Sequence, residues 1–217
     1  MTGSDALPAT GARRIGVFGG SFDPPHQAHA ALARVACDTL ALDALLWIPV
    51  GQAWQKACRL AEGPHRRAMV AALLAQAQDP RQALDDRELR RPGPSYTRDT
   101  LAELSGESPV PAEWFLIIGQ DQYANLPTWQ GWPDILAQAT LAVAARAGAQ
   151  IVAPAALAAV PHRLVRLPLP AMPVSSTAIR ARLANGEPAS GLVPTLLPAP
   201  VAGYIDQHHL YRKSEPR

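Results

Sequence analysis

A short apolar segment that passes through two glycines into a helix is the feature that most constrains the fold of this chain. Residues 15–18 are apolar, and Gly19 and Gly20 follow them directly. Such a run is typical of a buried parallel strand that ends in a tight turn. The pattern becomes helical over about residues 26–40. The segment therefore predicts a strand, a glycine turn and a helix in immediate succession.

Two histidines stand near the predicted start of this helix. Asp23 is the expected N-cap, and Pro24 fits the first turn because its missing N–H is not needed there. His26 and His29 are three residues apart, so both side chains lie near the helix end that favours anions. The arrangement predicts a phosphate site, although a tight turn with surface histidines would give the same pattern. The glycines match neither G-x-G-x-x-G nor a G-K-[ST] loop, which disfavours a common dinucleotide-binding domain and a Walker ATPase.

Length and charge limit the class of protein. The 217 residues suffice for one domain with a proper core, and we expect a disordered tail at residues 1–12 before a single domain at residues 13–213. The net charge of +2 and the scattered arginines do not predict nucleic-acid binding. The local group Arg87, Arg90 and Arg91 fits either a solvated edge or a contact to a nucleotide phosphate.

The cysteines and the hydropathy pattern indicate neither export nor membrane insertion. Cys37 and Cys58 lack metal-ligand spacing, and we expect both to be reduced thiols. The N-terminal residues lack the pattern of a signal peptide, and no apolar run is long enough to span a bilayer. We therefore expect a cytoplasmic protein without a membrane partner, either a monomer or a homo-oligomer.

Strand and helix patterns alternate along the chain. Further strands are predicted at residues 44–50, 82–86, 114–118, 141–145 and 163–167. Further helices are predicted at residues 64–76, 96–104, 175–184 and 198–208, with a short one after residue 133 and a C-terminal helical part from about residue 174. This order predicts the α/β class, a Rossmann-like open parallel sheet with helices on both faces. Ligands then bind where the strands end.

A second segment suits phosphate binding. Ser175, Ser176 and Thr177 place three hydroxyl groups at a helix start, where they can donate to phosphate oxygens beside free N–H groups. Arg180 lies one turn further on and can reach the same anion. A capped helix with a surface arginine is the alternative.

Both segments resemble motifs of the adenylyltransferase superfamily of nucleotidyltransferases. The first resembles G-G-[ST]-F-D-P-x-H-x-G-H, with Ala28 in place of its last glycine, and the second resembles [IV]-S-[ST]-T-x-[IL]-R. The resemblance implies an ATP site of nucleotidyltransferase type that includes Gly19, Gly20, Ser21, Phe22, Ser175, Ser176 and Thr177. It also implies that His26 and His29 contact the α- and β-phosphates and that Arg180 holds the leaving pyrophosphate.

Two further segments narrow the resemblance to bacterial nicotinate-nucleotide adenylyltransferases, over about residues 13–212. Residues 91–101 resemble R-x-G-x-S-Y-T-x-x-T-L, and residues 117–129 resemble I-x-G-x-D followed by a tryptophan. The resemblance implies that adenosine contacts Gly119 and Asp121, although Asp121 could also serve as a helix cap.

The same family resemblance assigns the nicotinate end of the second substrate. Ser95, Tyr96 and Thr97 open a helix, whose N–H groups can receive a carboxylate without a dedicated arginine. Trp129 offers a face for a cationic pyridinium ring, and core filling is its alternative role.

The resemblance implies only two contacts to the phosphate of the mononucleotide. Lys56 and Arg146 are the implied contacts. Many relatives have P-H-K in the loop that contains Lys56, whereas this chain has Gln55 in place of the histidine. After Arg146, Ala147 replaces a usual proline.

The implied reaction joins ATP and nicotinate mononucleotide into nicotinate adenine dinucleotide and releases pyrophosphate, a step of NAD biosynthesis. Mg²⁺ should arrive with ATP, bound mostly by phosphates and water. The alternatives are a sister transferase that adenylylates phosphopantetheine and a catalytically silent nucleotide-binding regulator.

Overall fold

The computed structural model describes residues 11–52, 60–145 and 150–212, and within them the chain forms a six-stranded parallel sheet. The strands are β1 (Arg13–Gly20), β2 (Ala44–Pro49), β3 (Gln82–Leu84), β4 (Ala112–Gly119), β5 (Ala139–Ala145) and β6 (Leu164–Pro168). Their order across the sheet is β3-β2-β1-β4-β5-β6.

The helices of the described segments connect these strands. They are α1 (Gln27–Thr39), α2 (Gly63–Ala77), α3 (Arg87–Arg90), α4 (Thr97–Glu107), α5 (Gln120–Asn125), α6 (Trp132–Gln138), α7 (Ala155–Ala158), α8 (Ser176–Ala184) and α9 (Ala199–Gln207). Short 3-10 turns cover Leu126–Thr128 and Ala189–Leu192. None of these helices is long and apolar enough to cross a membrane.

The strand order reverses between β1 and β4, which defines the place where an open α/β sheet binds ligands. In the β1–β4 pair Val17 lies opposite Leu116, and in the β1–β2 pair Gly20 lies opposite Pro49. The carboxyl ends of β1 and β4 are therefore neighbours. The glycine turn after β1 and Gly119 at the end of β4 share one edge of the sheet.

Each face of the sheet has its own apolar core. Phe18 and Trp47 pack with residues of α1, α2, α8 and α9, whereas Val17 and Ile48 pack with residues of α4, α5 and α6. Adjacent strand residues thus point to opposite covered faces, as expected for a buried parallel sheet. All residues of β5 are buried. Cys37 is a free, buried thiol whose pKa burial raises to about 11, and Cys58 lies outside the described residues.

The predicted α/β class and parallel sheet are confirmed, and the strands and the longer helices begin and end within three residues of their predicted positions. The structure corrects the start of α1. Its N-cap is His26, and Asp23 lies fully buried before the helix. The reason is tertiary, because the Asp23 carboxylate accepts hydrogen bonds from the Tyr211 hydroxyl at 2.7 Å and the Ala61 N–H at 3.2 Å.

Gly51, just after β2, packs against the segment that leads into α4. A Cβ atom there would overlap the backbone carbonyl oxygen of Glu88 and lie 2.9 Å from Oγ of Ser95. The neighbouring Gln52 forms a β-bridge with Pro94. The loop after β2 is thus fixed against the start of α4 by close backbone contact.

We expect Gly51→Ala to destabilise the protein by about 1 to 3 kcal/mol, because a backbone atom cannot yield to the added methyl group. Gly106→Ala in α4 is the matched control, since nothing lies within 4 Å of a Cβ atom there, and it should be neutral or stabilising. Denaturant unfolding measures both. Equal stability of the two variants would contradict this close packing.

Candidate active site

The two histidines stack at the start of α1. The ring centroids of His26 and His29 are 3.7 Å apart with an interplanar angle of 21°. The backbone N–H of His26 donates to Nδ1 of His29 at 3.2 Å. A neutral His29 ring therefore carries its proton on Nε2, which makes that atom a hydrogen-bond donor.

Phe22 supports His29 from the core side. Its side chain is 1% exposed, and its ring meets the rings of His29 and Phe18 edge-on at 5.2 and 5.3 Å. A Cβ atom at Gly20 would lie 3.0 Å from the Phe22 ring, whereas nothing lies within 4 Å of one at Gly19. The structure thus places the predicted ATP residue Phe22 behind the histidines, and Gly19 leaves open space for a ligand.

The second predicted segment lies against the first. Oγ of Ser176 donates to the carbonyl oxygen of Pro24 at 3.0 Å. One terminal nitrogen of Arg180 donates to the carbonyl oxygen of Asp23 at 2.7 Å, and the other is 3.5 Å from Oγ1 of Thr177. Two segments about 150 residues apart in sequence thus form one site.

Ser175 caps the start of this helix. It is the N-cap of α8, and its Oγ accepts from the N–H of Ala178 at 3.2 Å. The first N–H groups of α8 remain without intrahelical acceptors, as at any helix start. These N–H groups and the Arg180 guanidinium make this end of α8 favourable for binding an anion.

Burial controls the charge of His26. The residue is 6% exposed, and desolvation lowers its pKa to about 4. Its buried Nδ1 has no hydrogen-bond partner among the described residues. His26 is therefore neutral at pH 7.

The segment that leads into α4 lies beside the end of β2, the strand that pairs with β1. Tyr96 is its N-cap and Thr97 its first residue. The N–H of Ser95 donates to the carbonyl oxygen of Gln52 at 3.4 Å, so this predicted carboxylate donor is used within the protein. Thr97, whose N–H has no acceptor inside the helix, is the better placed of these residues.

A buried hydrogen-bond network holds α4 in place. Oγ1 of Thr100 donates to Oε1 of Glu88 at 2.7 Å and accepts from both terminal nitrogens of Arg91 at 3.1 Å. Arg91 also bonds Glu103 at 2.7 Å. Arg91 and Thr100 of the family-like segment are thus structural. Burial raises the pKa of Glu88.

All three clustered arginines have acidic partners. Arg87 pairs with Asp85 at 2.8 Å and Glu107 at 3.0 Å, and Arg90 pairs with Asp86 at 2.8 Å. With Arg91 also paired to Glu103, all three arginines are held in ion pairs within the protein.

Trp129 is partly buried against the core beside α4. Its indole Nε1 is buried and lacks a hydrogen-bond partner in the described segments. Gly131 in the same loop lies directly beneath the Arg98 side chain, which joins this loop to the first turn of α4. Trp129 therefore fills core space, in a loop that contacts the first turn of α4 through Gly131 and Arg98.

The adenosine side follows β4. Gly119 is the N-cap of α5, and Asp121 is exposed in the first turn with no side-chain cap bond to this helix. The structure thus leaves Asp121 available to a ligand. Lys56 and Arg146, the predicted contacts to the mononucleotide phosphate, lie outside the described residues.

Three residues beneath the glycine turn were not predicted as part of the site. Asp23 was interpreted as a cap, and no sequence signal marked Arg66 or Tyr211. Arg66 is 3% exposed and donates to the carbonyl oxygens of Ala61 at 2.9 Å and Ser21 at 3.1 Å. Burial lowers its pKa from the ordinary value, and the Asp23 carboxylate counteracts this shift.

The lowered pKa of His26 predicts a pH-dependent stability. Between pH 7 and pH 5 the unfolded chain takes up a proton at this histidine, whereas the folded protein, with a pKa of about 4, does not. We expect the wild type to lose about 2 kcal/mol more unfolding free energy over this range than His26→Asn, whose asparagine can still cap α1. Denaturant unfolding at both pH values measures the difference.

His209→Asn, at an exposed histidine, is the control and should follow the wild type. An identical pH response of wild type and His26→Asn would show that burial does not hold His26 neutral.

Comparison with known proteins identifies relatives of this chain. A family model described as cytidylyltransferase-like matches residues 17–182. A probable nicotinate-nucleotide adenylyltransferase from Methylibium petroleiphilum is 52% identical over 205 residues, which are 94% of this chain and 95% of that protein. One from Albidiferax ferrireducens is 48% identical over 202 residues, which are 92% and 98% of the two chains.

A solved structure has the same fold. The nicotinic acid mononucleotide adenylyltransferase of Plasmodium falciparum, complexed with NaAD, superposes with a TM-score of 0.76 at 18% identity and covers 92% of this chain and 97% of that one. At that identity the likeness concerns the nucleotidyltransferase fold alone. Because the sequence matches cover nearly the whole chain, the protein belongs to the nicotinate-nucleotide adenylyltransferase family.

Proposed function

We propose that this protein transfers the adenylyl group of ATP to nicotinate mononucleotide and releases pyrophosphate. The contact between the two predicted phosphate-binding segments is the main support for the proposal. Ser176 and Arg180 form hydrogen bonds directly to the loop that precedes His26. Two helix starts, the two histidines and one arginine then lie at one edge of the sheet, an arrangement that suits a triphosphate. The family's sequence matches support the choice of nucleotides.

The reaction needs no general base. A phosphate oxygen of nicotinate mononucleotide, already ionised at neutral pH, attacks the α-phosphorus of ATP. The bond from this phosphorus to the bridging oxygen breaks, and pyrophosphate leaves with the electron pair. Catalysis therefore rests on alignment of the two phosphates and on stabilisation of the charge that develops on their oxygens.

Three groups of this chain supply that stabilisation. His29 offers Nε2–H because its Nδ1 accepts from the backbone of His26. Arg180, with 26% of its side chain exposed, can bond the leaving pyrophosphate while it keeps its contact to the Asp23 carbonyl. The N–H groups at the start of α8 complete the set.

Mg²⁺ is part of the proposal as an ion that enters with ATP. In the described residues no group of three or more His, Cys, Asp or Glu side chains could hold a metal ion. The Asp23 carboxylate is buried and bonded to Tyr211 and Ala61. A magnesium ion held by phosphate oxygens and water fits these surroundings, and it would neutralise charge on the triphosphate.

The start of α4 and Trp129 would select the acceptor. Thr97 presents an N–H at the positive end of a helix, which attracts a carboxylate. Trp129 offers a ring face to the cationic pyridinium group, worth on the order of 1 kcal/mol or more when desolvated. Together they favour a mononucleotide that carries an acid group on a pyridinium ring.

We expect His29→Ala to lower kcat by about a hundredfold or more, the usual cost of losing one preorganised donor to developing charge. Its loss of ring packing against Phe22 should cost only a small part of the stability. His65→Ala is the matched control, since the His65 ring contacts Tyr204 in α9. Steady-state pyrophosphate release measures both, and His29→Ala activity within threefold of wild type would refute the role.

The acceptor site predicts a preference for the acid over the amide. Nicotinamide mononucleotide would lose the attraction of the helix end and bring an amide donor against N–H donors. We expect nicotinate mononucleotide to have a kcat/KM higher by about a hundredfold or more. Competition between the two at equal concentration measures the ratio, and equal use would rule out the carboxylate pocket.

Trp129→Ala provides a second check of the same pocket. We expect this variant to weaken both acceptors by a similar factor, because each presents a pyridinium face. An effect confined to the acid would place the carboxylate against Trp129 instead of α4.

A further inference from the structure

A buried polar cluster lies directly under the phosphate loop. Asp23 is 0% exposed, and its Oδ1 accepts from the Tyr211 hydroxyl at 2.7 Å and the Ala61 N–H at 3.2 Å. Tyr211 lies 188 residues further along the chain, after α9. The C-terminal segment is therefore bonded to the loop that carries the catalytic histidines.

The two oxygens of this carboxylate are in different situations. Oδ2 is buried, with no hydrogen-bond partner among the residues that the structure describes. It faces one terminal nitrogen of Arg180 at 3.7 Å, and the same nitrogen donates to the Asp23 carbonyl oxygen at 2.7 Å. Asp23 thus holds Arg180 by a short backbone hydrogen bond and attracts it by charge.

Tyr211 supplies a donor to the other oxygen of this carboxylate. Burial, and next the charge of Asp23, raise the pKa of Tyr211 well above its usual value, so its hydroxyl keeps its proton and donates. A charge-assisted hydrogen bond of this kind stabilises the carboxylate on the Oδ1 side. Without it, the underbonded carboxylate would draw the Arg180 guanidinium closer and away from the ligand.

Arg66 is a further charged residue of this buried cluster. It fixes the loop through the carbonyl oxygens of Ser21 and Ala61 and supplies a second cation near Asp23. A buried carboxylate with two cations nearby tolerates its loss of hydration. Asp23 therefore lies near two cations, and 26% of the Arg180 side chain remains exposed to solvent.

We propose that Asp23 and Tyr211 are positioning residues that set Arg180 for the pyrophosphate group of ATP. Arg180 is held before the ligand arrives, so little reorganisation is needed when it binds. The inference rests on the proposed function for its substrate, but the Asp23–Tyr211–Arg180 geometry also makes it testable by ATP binding alone.

Tyr211→Phe removes the hydroxyl and keeps the ring. We expect it to lower kcat by about tenfold and to weaken ATP binding and pyrophosphate inhibition by several fold, with the KM for the acceptor unchanged. Tyr204→Phe is the matched control, because it removes another C-terminal tyrosine hydroxyl, bonded to His65 at 3.0 Å, and should behave as wild type.

A double-mutant cycle with Arg180→Lys separates positioning from simple structural support. If Tyr211 acts through Arg180, Tyr211→Phe should change kcat and the ATP dissociation constant by less than about twofold in the Arg180→Lys background. Asp23→Asn should give the same pattern, and it replaces Tyr211→Phe in the cycle if that variant does not fold.

Multiplicative effects of the two substitutions, or wild-type ATP binding in Tyr211→Phe, would overturn the positioning role. If the wild type is active and the two substitutions act multiplicatively, only this inference is overturned. A wild type without pyrophosphate release would overturn the proposed function, and calorimetric ATP binding to the same variants would still decide the role of Tyr211.

Discussion

The contact between the start of α8 and the loop after β1 is the interaction on which the site depends. Each segment alone is one helix start beside a turn. The bonds from Ser176 to the Pro24 carbonyl and from Arg180 to the Asp23 carbonyl bring both helix starts to one edge of the sheet. The reversal of strand order between β1 and β4 opens the space in front of them.

The electrostatics of the site follow from burial. His26 is kept neutral because desolvation lowers its pKa to about 4, and His29 is oriented by the backbone of His26. The candidate site therefore combines a neutral His26, two helix starts and one arginine. Such groups are fixed before substrate binds, which is the condition under which they stabilise a transition state most effectively.

Much of this arrangement could be predicted from sequence because it depends on local patterns. Local sequence predicts local backbone conformation at three places, and the structure agrees with it there. These are the apolar run at β1, the glycine turn and the serine cap of α8. Asp23 was misinterpreted because a proline after an aspartate looks like a helix start. Its actual partner, Tyr211, comes from the other end of the chain, and no local pattern reports such a contact.

The central claim is that this site joins the phosphate of a mononucleotide to the α-phosphorus of ATP. Oxygen labelling tests it most directly, with nicotinate mononucleotide that carries ¹⁸O on its terminal phosphate oxygens. The account predicts one pyrophosphate released per dinucleotide formed, with all the label in the dinucleotide. Label in the pyrophosphate, or release of ADP or free phosphate from ATP, would contradict it.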